Sequence, residues 1–171
     1  MVRSKSIKNL KIIVPTLNSF KIMNRLVKSL KEQTSKDWTV IFVDGISEKK
    51  HRSWLNSLCK SDKRFKWINQ STKSKGIFGA MNDGIKEIEE SCWIIFWGSD
   101  DWCHSSDVIE KLIQQLNKIS SKEFKVDLLI NKARFFSKKL KIGRDFKFKL
   151  INNNFRKSLF FGEIPAHQGV V

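Results

Sequence analysis

Cysteine is scarce in this chain and irregularly spaced: Cys59, Cys92 and Cys103 form neither a CxxC pair nor an even set. That excludes a disulfide framework and points to free thiols in a reducing compartment, the cytoplasm. Long apolar runs are also missing, and none approaches the ~20 residues that cross a bilayer. At the N-terminus the apolar run 12–14 stops at Pro15, so the basic opening segment has no signal-peptide core. Acid is the third deficit. Asp and Glu number 17 against 33 Lys and Arg, a net charge of +16 and a pI near 9.9. Such a surface attracts anions, so nucleic acid, anionic lipid and phosphorylated small molecules are its natural partners.

What remains is ample for a core. The 171 residues are 40% hydrophobic, with six Trp and thirteen Phe, which suits one folded domain rather than a disordered chain. Short runs rich in β-branched and aromatic residues alternate with stretches of helical period. "L-K-I-I-V-P-T" reads as a first strand, "W-T-V-I-F-V-D-G" as a second, "F-K-W-I-N" as a third and Trp93 to Trp97 as a fourth. Between them, one helical face carries Phe20, Met23, Leu26, Val27 and Leu30, and another Trp54, Leu55, Leu58 and Cys59. A third face is predicted from Ile77, Met81, Ile85 and Ile88, and a fourth from Val108, Ile109, Leu112, Ile113, Leu116 and Ile119. Asp107 and Glu110 have the spacing of a capping box for that last helix. The pattern predicts an α/β fold, a mainly parallel sheet flanked by helices. After residue 121 it weakens: "V-D-L-L-I-N" suggests a strand, and the basic segment from Arg134 to Leu150 an exposed hairpin.

In such sheets ligands bind beyond the carboxyl ends of the strands. Two of those ends carry acids, Asp44 after "I-F-V" and Asp100–Asp101 after "I-I-F-W-G-S", while Pro15 and Thr16 close a third. Hard cations such as Mg²⁺ and Mn²⁺ take oxygen ligands, typically one or two carboxylates completed by substrate phosphates. Each piece alone also reads as an ordinary polar turn, since Gly, Ser and Asp are common turn formers.

Taken in order, "V-P-T-L-N", "V-D-G", "G-I-F-G-A-M-N-D-G-I" and "W-G-S-D-D" resemble the nucleotide-sugar-binding half of family 2 inverting glycosyltransferases, which have the GT-A fold. The resemblance covers residues 10 to about 120, leaving 121–171 as a partial acceptor-side portion of the same domain. It implies a protein that binds a nucleotide-sugar donor with a divalent cation, Mn²⁺ or Mg²⁺. The sugar would pass to the hydroxyl of a glycan or lipid-linked acceptor with inversion. Pro15, Thr16 and Asn18 would then line the nucleotide pocket, and Asp44 would accept a hydrogen bond from the base, a role suited to an ionised carboxylate. Gly76, Ala80 and Asn82 would lie across the donor. Asp100 would face the ribose and Asp101 would hold the metal.

The pattern is not followed throughout. Gly79, and Ser74 with Lys75, stand where the family often has acids. No late acid, among Asp127, Asp145 and Glu163, has the context of a general base, and His167 stands alone near the end. The final "H-Q-G-V-V" reads as a strand just begun, so a truncated transferase that binds donor without efficient transfer is expected. The competing class is a non-catalytic basic protein that binds nucleic acid or anionic surfaces. Its charge is densest from Lys132 to Lys157. No motif supports specific nucleic-acid recognition, whereas that basic region leaves peripheral contact with anionic lipid open.

Overall fold

The computed structural model describes residues 10–73, 75–88, 92–120, 126–136, 143, 145–146, 148–160, 163, 165–166 and 169–171. The chain divides into two compact units, Met1–Val126 and Asp127–Val171.

The first unit is built on a four-stranded parallel sheet of order β3-β2-β1-β4. Its strands are β1 (Leu10–Thr16), β2 (Trp38–Asp44), β3 (Phe65–Asn69) and β4 (Ile94–Phe96). The helices are α1 (Phe20–Lys31), α2 (Lys49–Ser61), α3 (Gly76–Lys86) and α4 (Val108–Ser120). Leu10, Ile12, Ile13 and Val14 of β1, and Val40, Ile41, Phe42 and Val43 of β2, are all buried, as in strands covered on both faces. Their register pairs Thr16 with Asp44, so the carboxyl ends of the two central strands finish level. β4 is short, but Lys11 N–H donates to Trp93 O at 3.0 Å and Trp97 N–H to Ile13 O at 3.1 Å, extending its pairing to both flanking tryptophans. Trp38 and Phe42 pack against Phe65 with ring centroids 5.4 and 6.0 Å apart. Pairs of this kind contribute about 0.5–1.5 kcal/mol each beyond their area.

Two helices follow the predicted faces. Met23, Leu26, Val27 and Leu30 are the buried residues of α1, and Ile109, Leu112, Ile113 and Leu116 are buried in α4. In α2, Leu55 and Leu58 are buried as expected, but the third buried side chain is His51, while Trp54 and Cys59 are half-buried.

The face expected for α3 is only partly right: Ile88, just past the helix, packs against the core and Met81 is half-buried. Ile77 and Ile85 are exposed, and the helix instead buries Gly79, Ala80, Asp83 and Gly84. The reason is distance. A β-carbon at Gly84 would lie 2.5 Å from Ile13 Cγ2 and 3.2 Å from Val43 Cγ2, so the helix rests directly on the sheet through its smallest residues.

The expected capping box of α4 also differs. Asp107 accepts from Ser105 Oγ and pairs with Lys111, and Glu110 accepts from Thr34. Buried Gln33 caps the helix from the α1–β2 connection, its Oε1 accepting the Ile109 N–H at 3.0 Å. Its amide nitrogen donates to Ser29 O and Ser105 O, so the buried amide is well satisfied.

In the second unit the strand expected at "V-D-L-L-I-N" is reduced to a single bridge, Ile130 with Val170, flanked by the Leu129–Val171 and Asn131–Gly169 bonds. Of the expected basic hairpin, the described residues show a two-residue antiparallel pair, Ala133–Arg134 (β5) with Asp145–Phe146 (β6), tied by Arg134 to Asp145 at 2.5 Å. A 3-10 turn (Ile151–Asn153) and α5 (Phe155–Phe160) follow.

Candidate functional site

The carboxyl edge of the sheet gathers most of the residues singled out by sequence. Pro15 and Thr16 end β1, Asp44 ends β2 beside them, and the turn after β4 brings Gly98 to Asp101 to the other side of β1.

Around Asp44 the side chains form one connected corner. The carboxylate is fully buried, and its Oδ2 accepts the Ser47 N–H at 3.0 Å and Arg52 Nε–H at 3.1 Å. Its Oδ1 is buried without a hydrogen-bond partner, the nearest basic group being His51 Nε2 at 3.6 Å. Such an orphan is costly in a folded protein, and it marks a place where a donor from outside would be welcome.

Thr16 Oγ1 lies 2.5 Å from Ser19 Oγ, 3.0 Å from Met23 Sδ and 3.2 Å from His51 Nε2. Asn18, at φ +50°, receives the turn: its N–H donates to Ser47 Oγ and its Oδ1 accepts the Glu48 N–H, both at 2.8 Å. Ile46 in that turn has φ +69°, a strained conformation for a β-branched residue, and is 62% exposed. An open pocket of about 650 Å³ adjoins the corner, lined by Phe20, Glu48, Lys49, Lys50 and Ser53.

His51 was missed in the sequence because it sits one turn before the apolar positions of its helix and belongs to no motif. The available signal was its spacing, four residues before Leu55 on the inward face. Burial pushes its pKa below the ordinary value, with Asp44 acting upward and Arg52 downward.

Gly76 starts α3 at φ +73°, where glycine is favoured, and its carbonyl accepts from Gln70 Nε2 at 2.8 Å. Gln70 N–H donates to Asp44 O, so the segment before α3 is tied to the same edge. Ala80 packs into the core with Ile13, Ile41 and Val43, whereas Asn82 is exposed on α3. Asp83, also unremarked in the sequence, is buried and accepts from the Ser71 N–H and Lys86 Nζ, both at 2.8 Å.

The acid pair is folded back over Gly98. Asp101 Oδ2 accepts the Gly98 N–H at 2.6 Å. A methyl group on Gly98 would lie 2.8 Å from Asp100 Oδ1 and 3.1 Å from Asp101 Oδ2, so the two carboxylates converge on one small space. Among the described residues no group of three or more His, Cys, Asp and Glu is placed to hold a metal unaided. Two converging carboxylate oxygens nevertheless suit a hard cation whose other ligands come from phosphate and water. The loop beyond is anchored to α1: Arg25 stacks 3.4 Å above Trp102, and Cys103 N–H donates to Ser29 Oγ at 3.0 Å.

A parallel sheet with this acid-bearing edge is the GT-A architecture of glycosyltransferases. Residues 11–163 match the model of glycosyl transferase family 2, and the chain belongs to that family. A PGL/p-HBAD biosynthesis glycosyltransferase of Mycobacterium bovis is 28% identical over 101 residues, covering 59% of this chain and 39% of that relative. The GalNAc(5)-diNAcBac-PP-undecaprenol beta-1,3-glucosyltransferase of Campylobacter jejuni is 28% identical over 109 residues, 64% of this chain and 35% of that protein. The chain thus spans well under two thirds of the length of these relatives. Among solved structures, S. aureus TarS in complex with UDP-GlcNAc superposes with a TM-score of 0.58 at 23% identity, over 71% of this chain and 33% of that one. The mannosyltransferase PcManGT of Pyrobaculum calidifontis, in complex with GDP-Man and Mn²⁺, gives 0.51 at 16% identity, over 63% and 31%.

His167, Ser74 and residues 137–142, 144 and 147 of the basic stretch lie outside the described residues. Of the late acids, Asp127 is exposed, Asp145 is paired with Arg134, and Glu163 is half-buried.

Proposed function

We propose that this chain binds a nucleoside-diphosphate sugar at the carboxyl edge of its sheet and serves metal-assisted transfer of the sugar, with inversion, to a glycan or lipid-linked acceptor hydroxyl. The observation that carries the reading is the pair of acidic positions flanking β1: a buried carboxylate with an unpartnered oxygen at Asp44, and two carboxylates converging over Gly98. The first is matched to a base N–H, because an ionised carboxylate only accepts. The second is matched to a divalent cation, with Asp101 as its ligand and Asp100 turned to the ribose. When bound there, Mn²⁺ or Mg²⁺ supplies Lewis-acid neutralisation of the charge that develops on the departing diphosphate.

The protein's own part is positional. Pro15, Thr16 and Asn18 form the wall beside the base, held by the Ser19, Ser47 and His51 bonds. Gly76 and Asn82 are the α3 groups that would face the donor, and Ala80 acts from beneath by letting α3 lie close to the sheet. Holding donor and acceptor in one geometry is a large share of what such an enzyme contributes. Support for the donor class comes from TarS, solved with UDP-GlcNAc, and from PcManGT, solved with GDP-Man and Mn²⁺. The undecaprenol-linked acceptor in the name of the Campylobacter relative favours a lipid-linked acceptor. Among the described residues no helix is long and apolar enough to cross a membrane.

The test is release of nucleoside diphosphate from UDP- and GDP-sugars in the presence of Mn²⁺, with and without polyprenyl-phosphate-linked acceptors. Binding of one donor class is expected, with slow acceptor-dependent release. Failure of every donor to bind would refute the reading.

A further inference from the structure

His51 is 1% exposed, and it reaches Thr16, Phe20 and Asp44 in the corner. Its Nδ1 accepts the Phe20 N–H at 3.1 Å, a helix-start amide with no partner inside its own helix. A ring nitrogen that accepts a backbone N–H keeps its lone pair, so the proton of the neutral imidazole sits on Nε2. That nitrogen is 3.2 Å from Thr16 Oγ1 and 3.6 Å from the unpartnered Asp44 Oδ1. The charged groups facing the ring are Asp44 from β2 and Arg52 from α2 itself. β1 contributes the Thr16 hydroxyl and α1 the Phe20 amide, while the rings of Phe20 and Trp54 pack at 6.2 and 6.4 Å. Desolvation holds the imidazole uncharged at neutral pH.

We propose that His51 is a positioning residue for nucleotide recognition: neutral, it orients Thr16 and leaves the buried Asp44 Oδ1 without a hydrogen bond, for a ligand donor to take; doubly protonated, it becomes an internal counter-ion that occupies Asp44. The inference rests on the reading of Asp44 as the acceptor for the base. The second proton must go to Nδ1, which costs the Phe20 bond and places a full positive charge beside Oδ1. Ligand and proton then compete for one carboxylate oxygen. A single competing proton weakens binding about tenfold per pH unit once His51 is mostly charged.

The experiment is calorimetric titration of UDP and GDP, each with Mn²⁺, into the full chain and into His51→Gln, from about pH 8 down to about pH 5. Glutamine keeps a side-chain N–H but cannot titrate. The variant is expected to bind severalfold more weakly at the alkaline end, and the wild-type-to-variant affinity ratio to fall as the pH is lowered, by at most about tenfold per pH unit. Taking the ratio cancels titration of the phosphate and the metal, which both proteins share. A constant ratio would overturn the role of His51 while leaving the nucleotide reading intact. No binding of either diphosphate to wild type would remove both. Nitrogen-15 NMR of wild type covers a variant that fails to fold: the Nε2–H tautomer is expected, with UDP lowering the His51 pKa. An Nδ1–H tautomer, or a pKa unmoved or raised by UDP, would contradict the proposal.

Discussion

Asp44 and His51 are a buried pair to which a recognition role is proposed, and His51 also bears on stability. In the folded chain His51 is held neutral, whereas in the unfolded chain it titrates near its ordinary value of about 6.5. The unfolded state therefore binds the extra proton first as pH falls. Stability is unaffected by this group above about pH 6.5 and decreases below it, until the lower folded pKa is reached. Denaturant unfolding across that window should show the decline in wild type and a flatter profile in His51→Gln. Parallel profiles would mean that His51 is not the group responsible. Asp44 was legible as a candidate because it ends an apolar strand. Its partner was not, because a histidine on an apolar helix face carries no motif and its chemistry is defined by Thr16, Phe20 and Asp44, which are distant in sequence.

At the scale of elements, the strands were legible because β1, β2 and β3 are runs of β-branched and aromatic residues bounded by polar turns. The faces of α1 and α4 were legible for the same reason, their large apolar residues recurring at helical spacing. α3 was misread in part because its inward face is made of Gly79, Ala80, Asp83 and Gly84, and a search for large apolar residues also picks up the exposed Ile77 and Ile85. This yields a prediction whose sign separates two effects. Helix propensity favours alanine over glycine by about 1 kcal/mol, so Gly84→Ala would stabilise an isolated helix. In this protein the new methyl meets Ile13 Cγ2 at 2.5 Å in the core, and overpacking of that kind costs about 1–3 kcal/mol. Thermal unfolding should show a lower Tm for Gly84→Ala. A raised Tm would mean that α3 does not lie so close to the sheet. The cap of α4 was misassigned for a related reason: the sequence offers Asp107 and Glu110 nearby, but Gln33 reaches the helix from a different connection.

For the whole molecule, charge and site make different claims. The +16 balance guarantees attraction to polyanions, so weak binding to nucleic acid is expected at low salt. Because this attraction is counterion release without base readout, it should fall steeply with added salt and be indifferent to Asp101. Tight, sequence-dependent binding at physiological salt would contradict that expectation. The sequence could reveal the order of strand, acid and helix, and hence the family, because those signals are local. It could not reveal that Asp100 and Asp101 turn back together over Gly98, which depends on the backbone of a single turn.

The proposed site depends most on Asp101, which would hold a cation completed by a bound nucleoside diphosphate. Its most direct test is calorimetric binding of UDP and GDP in Mn²⁺ and in chelator, to wild type and to Asp101→Ala checked for folding by circular dichroism. Binding of at least one diphosphate that needs Mn²⁺ and is lost in the variant is expected. Equal affinity in chelator and in Mn²⁺, or undiminished binding by Asp101→Ala, would contradict it.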